Sequence, residues 1–542
     1  MRISVSLLCI VILAALLRFY ALSHVPPSPS LDEVSIGYNA YSILRTGADE
    51  YGTKFPILLR AYDDFRPALY VYLVIPAIFL LGLGVTAVRL PSVILSLGTV
   101  IATYYLVKEL VKEKNSPIPA LTAFFLAISP WHIYLSRLGH EVNLGLATVV
   151  FGMWLLIRFL NNRDKAYLLV ASSVLFALSL YSYQSQKVVV PMLLVSAGIL
   201  FSKELLSHWK AALGAIIVGA VLSIPVVLAS VGPQALVRFR ATSALSDPTA
   251  AEANNKLFVQ AKMRGDIIGQ ILYYPATVPF RIFSDNYFSH FRPGWLFFGG
   301  MFERHKVPGM GLLYWWEMIT ISLGIWIFAK SNIQKKLKLL VFIWFFVSPI
   351  PAAITTQAPH AMRSYTMLPM WQIFSAFGIG TILSWFRLKY LRASATILLG
   401  LVMTIGVLIF TKQYFIVFPS LQSDSFQYPL AQAIPYVATH EGSYSEIIFS
   451  NKDALYQSYM FFLFFTKYDP VHYHEFGGTV SGGYEETHTI GKFQFRPIVW
   501  EKDKLIPNAL IIGNSAEFPE DISTVGEFST LDGVVKIKII QT

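Results

Sequence analysis

Long apolar runs broken by short basic connections set the pattern of this chain. Runs at 3–22, 87–107, 118–136, 141–160, 166–182, 188–202, 211–230, 311–329, 339–357, 364–386 and 393–411 each approach the roughly 20 residues that carry a helix across a bilayer. The connections KELVKEK (108–114), RFLNNRDK (158–165), KELLSHWK (203–210), KSNIQKKLK (330–338) and RLKYLR (387–392) are rich in Lys and Arg and occupy every second position between runs. Basic loops stay in the cytoplasm, so the intervening segments 23–86, 137–140, 183–187, 231–310, 358–363 and 412–542 are expected outside. Arg2 precedes the first run and places the N-terminus in the cytoplasm, while Arg18 near its far end can snorkel. A cleaved signal peptide ending at Ala21–Leu22–Ser23 is the competing reading of that run.

One stretch strains the alternation. Residues 67–84, PALYVYLVIPAIFLLGLG, are apolar enough to cross, yet a crossing there would move every later basic loop to the wrong side. They are therefore expected as a juxtamembrane or re-entrant helix inside the first outward loop (23–86), started by Pro67 and interrupted by Pro76. After 411 the pattern changes. Short apolar strands appear at 446–450, 508–513 and 534–540, with an apolar helix at 453–466. The whole predicts a polytopic α-helical membrane protein of about 11 to 13 spans in residues 1–411. A small C-terminal α/β external domain follows in 412–542.

Composition supports this picture. Of 542 residues, 55% are hydrophobic and only 14% charged, and the mean hydropathy is +0.54. The formal charge of +11 fits cytoplasmic loops against lipid headgroups, and no nucleic-acid-binding motif or phosphate-binding glycine loop is found. The single cysteine, Cys9, excludes an intramolecular disulfide. In the loop 231–310, the aromatic second half suits the interface belt or a groove for lipid or sugar.

Chemistry concentrates in outward segments. The first loop carries the acidic pairs Asp32–Glu33, Asp49–Glu50 and Asp63–Asp64, and Arg66 before a proline. Carboxylates beside a bilayer are costly and need a reason to be there. A carboxylate can take a proton from a hydroxyl or hold a metal, and an arginine can hold a phosphate by paired, charge-assisted hydrogen bonds. Residues 129–143, SPWHIYLSRLGHEVN, add His132, Arg137, His140, Glu141 and Asn143, and 355–365 add His360 and Arg363. An acid or base and phosphate-holding cations are thus expected on one face, with the helices supplying a groove for a lipid tail.

Several of these features recur together in one known group. An Asp–Glu pair lies shortly after the first span, RPALY (66–70) closes the loop, and RLPS (89–92) opens the next span. SPW…SRxGxExN follows at 129–143 and PHAMRS at 359–364. With these motifs in this order, the chain resembles the integral-membrane glycosyltransferases of the GT-C fold over residues 1–410. Within them it is similar to the protein O-mannosyltransferase and aminoarabinose-transferase family (glycosyltransferase family 39 and its bacterial relatives). The resemblance implies a hexosyl- or pentosyltransferase that moves a sugar, with inversion, from a polyprenyl-phosphate donor to an acceptor hydroxyl on the extracytoplasmic face of the plasma membrane. It implies transfer that is metal-independent or only weakly linked to a divalent cation, and no metal ligands are assigned from it. It implies Asp32 as the catalytic base with Glu33 beside it. Arg66 stands where relatives have the lysine that contacts the lipid phosphate, a cation of different geometry. Glu141 resembles the acid of the second outward loop, and Arg363 a cation near the donor phosphate. Arg137 is a further candidate for the phosphate, and His140 and His360 for the substrate. The acceptor, whether protein, lipid or glycan, is left open.

The rivals differ in what they require. A transporter or flippase of a lipid-linked substrate would carry ionisable residues in mid-span, and these spans are nearly free of them. An oligosaccharyltransferase-like enzyme would carry Trp-Trp-Asp in its external domain, whereas residues 412–542 hold only Trp500. A non-catalytic member would keep its function without Asp32.

Overall fold

The computed structural model describes residues 4–62, 64–232, 243–244, 248–300, 303, 305–483 and 487–542. Asp63, singled out above with Asp64, lies outside them. The chain forms two compact units. One comprises Met1–Ala14, Leu97–Leu135 and Leu144–Val407, the other Ala15–Ser96, Ser136–Asn143 and Leu408–Thr542. The sequence division at 411/412 follows composition, whereas these units follow packing.

Every apolar run becomes a helix, but fewer are long enough to span than expected. Among the described residues, six are long and apolar enough to cross a membrane: Val85–Val111, Glu141–Asn161, Trp209–Ser230, Lys335–Ala353, Tyr365–Trp385 and Lys389–Gln422. The pair Ile118–Ile128 and Pro130–Ser136, bent by 56°, brings the number to seven if it is one span. The difference from 11 to 13 is one of length. Val5–Phe19, Ala166–Leu180 and Gln186–Leu200 have 15 residues each. Such a helix is about 22 Å long against a hydrocarbon layer of about 30 Å. Val5–Phe19 (α1) carries Arg18, which is buried rather than snorkelling. The long helix Trp209–Ser230 leaves Ile216, Ile217, Val221, Ile224 and Leu228 exposed, as lipid contact requires. In the first unit, Leu156, Phe176, Leu180, Val190, Leu194 and Ile216 help line an apolar cavity of about 440 Å³.

The second unit contains the first outward loop. Helix α2 (Leu31–Thr46) begins at a capping box: the Ser30 hydroxyl accepts the Glu33 N–H, and the Glu33 carboxylate accepts the Ser30 N–H. It ends at Gly47, whose φ of 75° is the left-handed geometry glycine adopts freely. Strands β1 (Leu58–Ala61) and β2 (Asp64–Pro67) form an antiparallel hairpin that pairs Leu59 with Arg66. Helix α3 (Leu69–Leu81) follows. At 13 residues it is shorter than the roughly 20 that carry a helix across a bilayer. Its start differs from expectation, because Pro67 ends β2, and Pro76 sits inside a continuous helix.

The strands expected after 411 form at Glu446–Phe449 (β3), Ala509–Asn514 (β6) and Val535–Gln541 (β8). With His488–Ile490 (β4), Phe493–Phe495 (β5) and Gly526–Ser529 (β7) they make a six-stranded sheet in the order β4-β5-β3-β6-β8-β7. β3 runs parallel to β5 and β6, and the remaining pairs are antiparallel. The apolar helix is shorter than expected, Ser458–Phe465, and its residues Ser458–Phe464 are buried. It packs on α2, where a Cβ on Gly37 would lie 2.5 Å from the Phe464 ring. That packing joins the first loop to the C-terminal segment.

Candidate active site

Asp32 and Glu33 are neighbours in the first turn of α2, and the helix turns them to different surroundings. The Glu33 side chain is 1% exposed and that of Asp32 52%. Glu33 accepts from Arg89 Nε at 2.7 Å and Nη2 at 3.2 Å, from the Ser30 N–H at 2.8 Å and from the Gly139 N–H at 2.8 Å. Burial penalises its charge, but the Arg89 cation and these hydrogen bonds outweigh the penalty. Its pKa is held below the ordinary carboxylate value. The remaining Arg89 donors reach the carbonyls of Leu22, Pro26 and Ser28. The motif RLPS thus supplies the counter-charge of the Asp–Glu pair. Gly139, from SRxGxExN, must be glycine: a Cβ there would lie 2.6 Å from the Val88 side chain and 2.9 Å from its carbonyl oxygen. Asn143 donates to the Ser92 carbonyl at 2.6 Å, and Tyr70 to the Val88 carbonyl at 2.8 Å.

Asp32 is half-exposed. Its Oδ1 accepts from Arg66 Nη1 at 3.1 Å. Its Oδ2 lies 3.8 Å from His140 Nε2. His140 Nδ1 accepts the Val142 N–H at 3.2 Å, so the neutral ring carries its proton on Nε2, toward Asp32. Glu141 Oε2 stands 3.3 Å from His140 Nδ1. Arg66 is 4% exposed. Burial disfavours its charge, but Asp32, Glu141 and other neighbours restore it and hold its pKa above the ordinary guanidinium value. Its Nε and Nη2 are buried and have no hydrogen-bond partner among the described residues. Orphan buried donors cost about 1–3 kcal/mol each, so this guanidinium is set to receive an acceptor.

Hence Asp32, Arg66, His140 and Glu141 meet, with Glu33 beneath them. Arg137 is placed otherwise. Its Nη1 donates to the carbonyls of Leu17 and Arg18, its Nη2 to those of Ala21 and Val25, and it lies over the Phe415 ring at 4.9 Å. It closes the C-terminal end of α1, where a cation suits the helix dipole. Arg363 and His360 belong to the other unit. Arg363 Nη1 donates to Thr355 Oγ1 at 2.7 Å and the Thr356 carbonyl at 2.8 Å. His360 lies near Glu303 and His305.

A separate network surrounds Glu50, which is completely buried. It accepts from Asn39 Nδ2 at 3.0 Å, Thr479 Oγ1 at 2.8 Å and the Tyr459 hydroxyl at 3.1 Å. Burial pushes its carboxyl up to about 7 in spite of these bonds. The Glu50 carbonyl also accepts the Thr479 N–H at 3.0 Å. The pair Asp49–Glu50 therefore ties the first loop to the C-terminal segment. Asp49 accepts the N–H groups of Tyr51 and Thr53.

These elements define a multi-pass membrane protein of the GT-C fold, the architecture of integral-membrane glycosyltransferases. Comparison with known proteins gives the closer setting. A sequence profile described as dolichyl-phosphate-mannose-protein mannosyltransferase matches residues 66–228, from Arg66 into the span Trp209–Ser230. Among solved structures, ArnT from Cupriavidus metallidurans bound to undecaprenyl phosphate superposes with a TM-score of 0.56 at 12% identity, covering 98% of this chain and 97% of that one. The oligosaccharyltransferase AglB from Archaeoglobus fulgidus, in complex with an inhibitory peptide and a dolichol-phosphate, superposes with a TM-score of 0.53 at 12% identity. That match covers 84% of this chain, which spans only 63% of AglB. No curated protein sequence matches the chain.

Proposed function

We propose that this protein is a glycosyltransferase that moves a hexosyl or pentosyl unit from a polyprenyl-phosphate donor to an acceptor hydroxyl on the extracytoplasmic face. The observation that carries this reading is the buried Arg66 guanidinium, with two unpartnered donors, beside the half-exposed Asp32 carboxylate. Asp32 accepts the proton of the acceptor hydroxyl. The acceptor oxygen attacks the anomeric carbon, and the bond from that carbon to the phosphate oxygen breaks with its electron pair on the phosphate. One displacement of this kind inverts the anomeric centre. Arg66 Nε and Nη2 stabilise the charge that develops on the leaving phosphate. His140, with Nε2 3.8 Å from Asp32 Oδ2, borders the base, and Glu141 balances Arg66. Glu33 and Arg137 act in this reading as positioning residues, because their hydrogen bonds run to Arg89 and to the backbone. Likeness of fold to ArnT and AglB, whose structures hold undecaprenyl phosphate and dolichol-phosphate, supports a lipid-phosphate donor. The basic connections between spans support the extracytoplasmic side.

The test is sugar transfer from a panel of labelled polyprenyl-phosphate sugars by membranes holding wild type or Asp32→Asn at equal expression. One donor is expected to be consumed by wild type and spared by the variant, with a rate loss of about 10²–10⁴. Equal consumption by both would overturn the role of Asp32. The likeness to AglB favours a second reading, transfer of a whole glycan to asparagine. Against it, Trp500 is the lone tryptophan of 412–542. An asparagine-containing peptide as acceptor separates the two.

A further inference from the structure

We infer that Glu303, His305 and His360 form a binding site for a divalent transition-metal ion of the zinc class, separate from the Asp32 site. All three lie in the unit that contains Leu144–Val407. Their ligand atoms lie within 4.8 Å of one another. Glu303 Oε1 stands 3.8 Å from His305 Nδ1 and 3.7 Å from His360 Nδ1. Both separations exceed a hydrogen bond. They are close to the edge of a tetrahedral zinc site, about 3.3 Å for metal–ligand bonds of about 2.0–2.1 Å. The two carboxylate–imidazole edges need to close by about half an ångström, and the imidazole–imidazole edge, within 4.8 Å, by up to about 1.5 Å, for all three donors to hold one ion. The two imidazoles stack, centroids 4.8 Å apart and planes 20° apart, so both turn their Nδ1 to the same carboxylate oxygen.

The surroundings fix these donors in place. Ala361 N–H donates to Glu303 Oε1 at 2.5 Å, and Trp295 Nε1 donates to Oε2 at 3.0 Å. The His360 N–H is held by His290 Nε2 at 3.1 Å, and His290 in turn donates from Nδ1 to the Asn286 carbonyl at 2.8 Å. Outer partners of this kind orient metal ligands and raise their affinity. Two imidazoles and one carboxylate suit zinc, and three protein ligands leave a fourth position for water or substrate. His305 is the ligand nearest solvent, its side chain 28% exposed against 7% for His360 and 10% for Glu303. The ion would clip Glu303 and His305 to the turn that carries PHAMRS. This inference does not depend on the transfer reaction.

The experiment measures zinc bound by the tag-free, detergent-purified full chain after equilibration with zinc and dialysis. About one zinc per chain is expected in wild type, with binding weakened at least about tenfold in His305→Ala and in Glu303→Gln. Cobalt in place of zinc should give the intense visible bands of a tetrahedral ion in wild type and lose them in His305→Ala. The cobalt spectrum of wild type is independent of whether a variant folds. Asp32→Asn should keep the metal. Wild type that holds no more zinc than His305→Ala, or zinc lost in Asp32→Asn and kept in His305→Ala, would overturn the assignment.

Discussion

Replacing Glu33 with glutamine should unfold this protein more readily than replacing its neighbour Asp32 with asparagine, although the two carboxylates are adjacent in sequence. Glu33 receives two hydrogen bonds at Oε1, from Arg89 Nε and the Gly139 N–H, and two at Oε2, from Arg89 Nη2 and the Ser30 N–H. A glutamine keeps one oxygen and its two bonds. Its NH₂ group then faces two donors and accepts from neither. Lost hydrogen bonds to a charged group cost about 1.5–3 kcal/mol each. The Arg89 guanidinium, 0% exposed, is left without a counter-ion. Breaking such a buried pair costs about 3–5 kcal/mol, and the two routes to the estimate agree. Asp32 is half-exposed, and its pair with Arg66 is worth about 1 kcal/mol or less. The assay is thermal unfolding of the detergent-solubilised full chain, with both variants and wild type in parallel. Glu33→Gln should melt well below wild type, and Asp32→Asn close to it. Because the folded-state pKa of Glu33 is depressed, its contribution is present above the unfolded value of 4.5 and fades as pH falls through the folded one. The gap between Glu33→Gln and wild type should therefore narrow in acid. A Glu33→Gln protein as stable as wild type at neutral pH would refute the reasoning.

Two further outcomes are expected. Arg66→Lys keeps a cation but loses the planar fork, so transfer should fall by about 10- to 100-fold, with binding of the donor phosphate weakened; an unchanged kcat/KM for donor would remove Arg66 from the phosphate site. Glu50, with its carboxyl pushed up to about 7 from 4.5, favours the folded state fully below pH 4.5 and loses that stabilisation as pH rises through about 7. The loss is worth about 3 kcal/mol. Melting temperature should thus fall between pH 5 and pH 8 in wild type and stay flatter in Glu50→Gln, whose NH₂ can donate to the Tyr459 and Thr479 hydroxyls; parallel pH profiles would count against this.

What the sequence disclosed and what it hid divide along physical lines. Apolar runs and strand alternation are written locally, so the helices and the strands β3, β6 and β8 appeared where expected. Helix ends depend on caps and bends, which is why three of the expected spans are helices of 15 residues. The meeting of Asp32 with Arg66 followed from a short hairpin. Burial, by contrast, is a property of the assembled chain. Nothing in the dipeptide Asp32–Glu33 tells which carboxylate is in solvent and which is paired with Arg89. Arg137 reads from sequence as a phosphate ligand, and only the assembled chain puts its Nη1 and Nη2 on backbone carbonyls. The signal for Arg89 was present in RLPS, but as a span boundary. Glu303 and His305 lay unnoticed in an aromatic loop, where only their spacing of two, and a histidine in PHAMRS, hinted at shared work.

The hydrogen bonds of the first loop also impose an order on biosynthesis. Glu33 is held by a side chain 56 residues further on and by a backbone group 106 residues further on. Glu50 is held by a hydroxyl 429 residues away. A nascent chain therefore inserts its first helix long before the partners that shape the loop exist. Such distant closures come late, since their entropic cost must be met before their contacts form. The loop that carries Asp32 acquires its final form only after Thr479 has been made, so a product truncated before that residue would sit in the membrane with the loop unassembled.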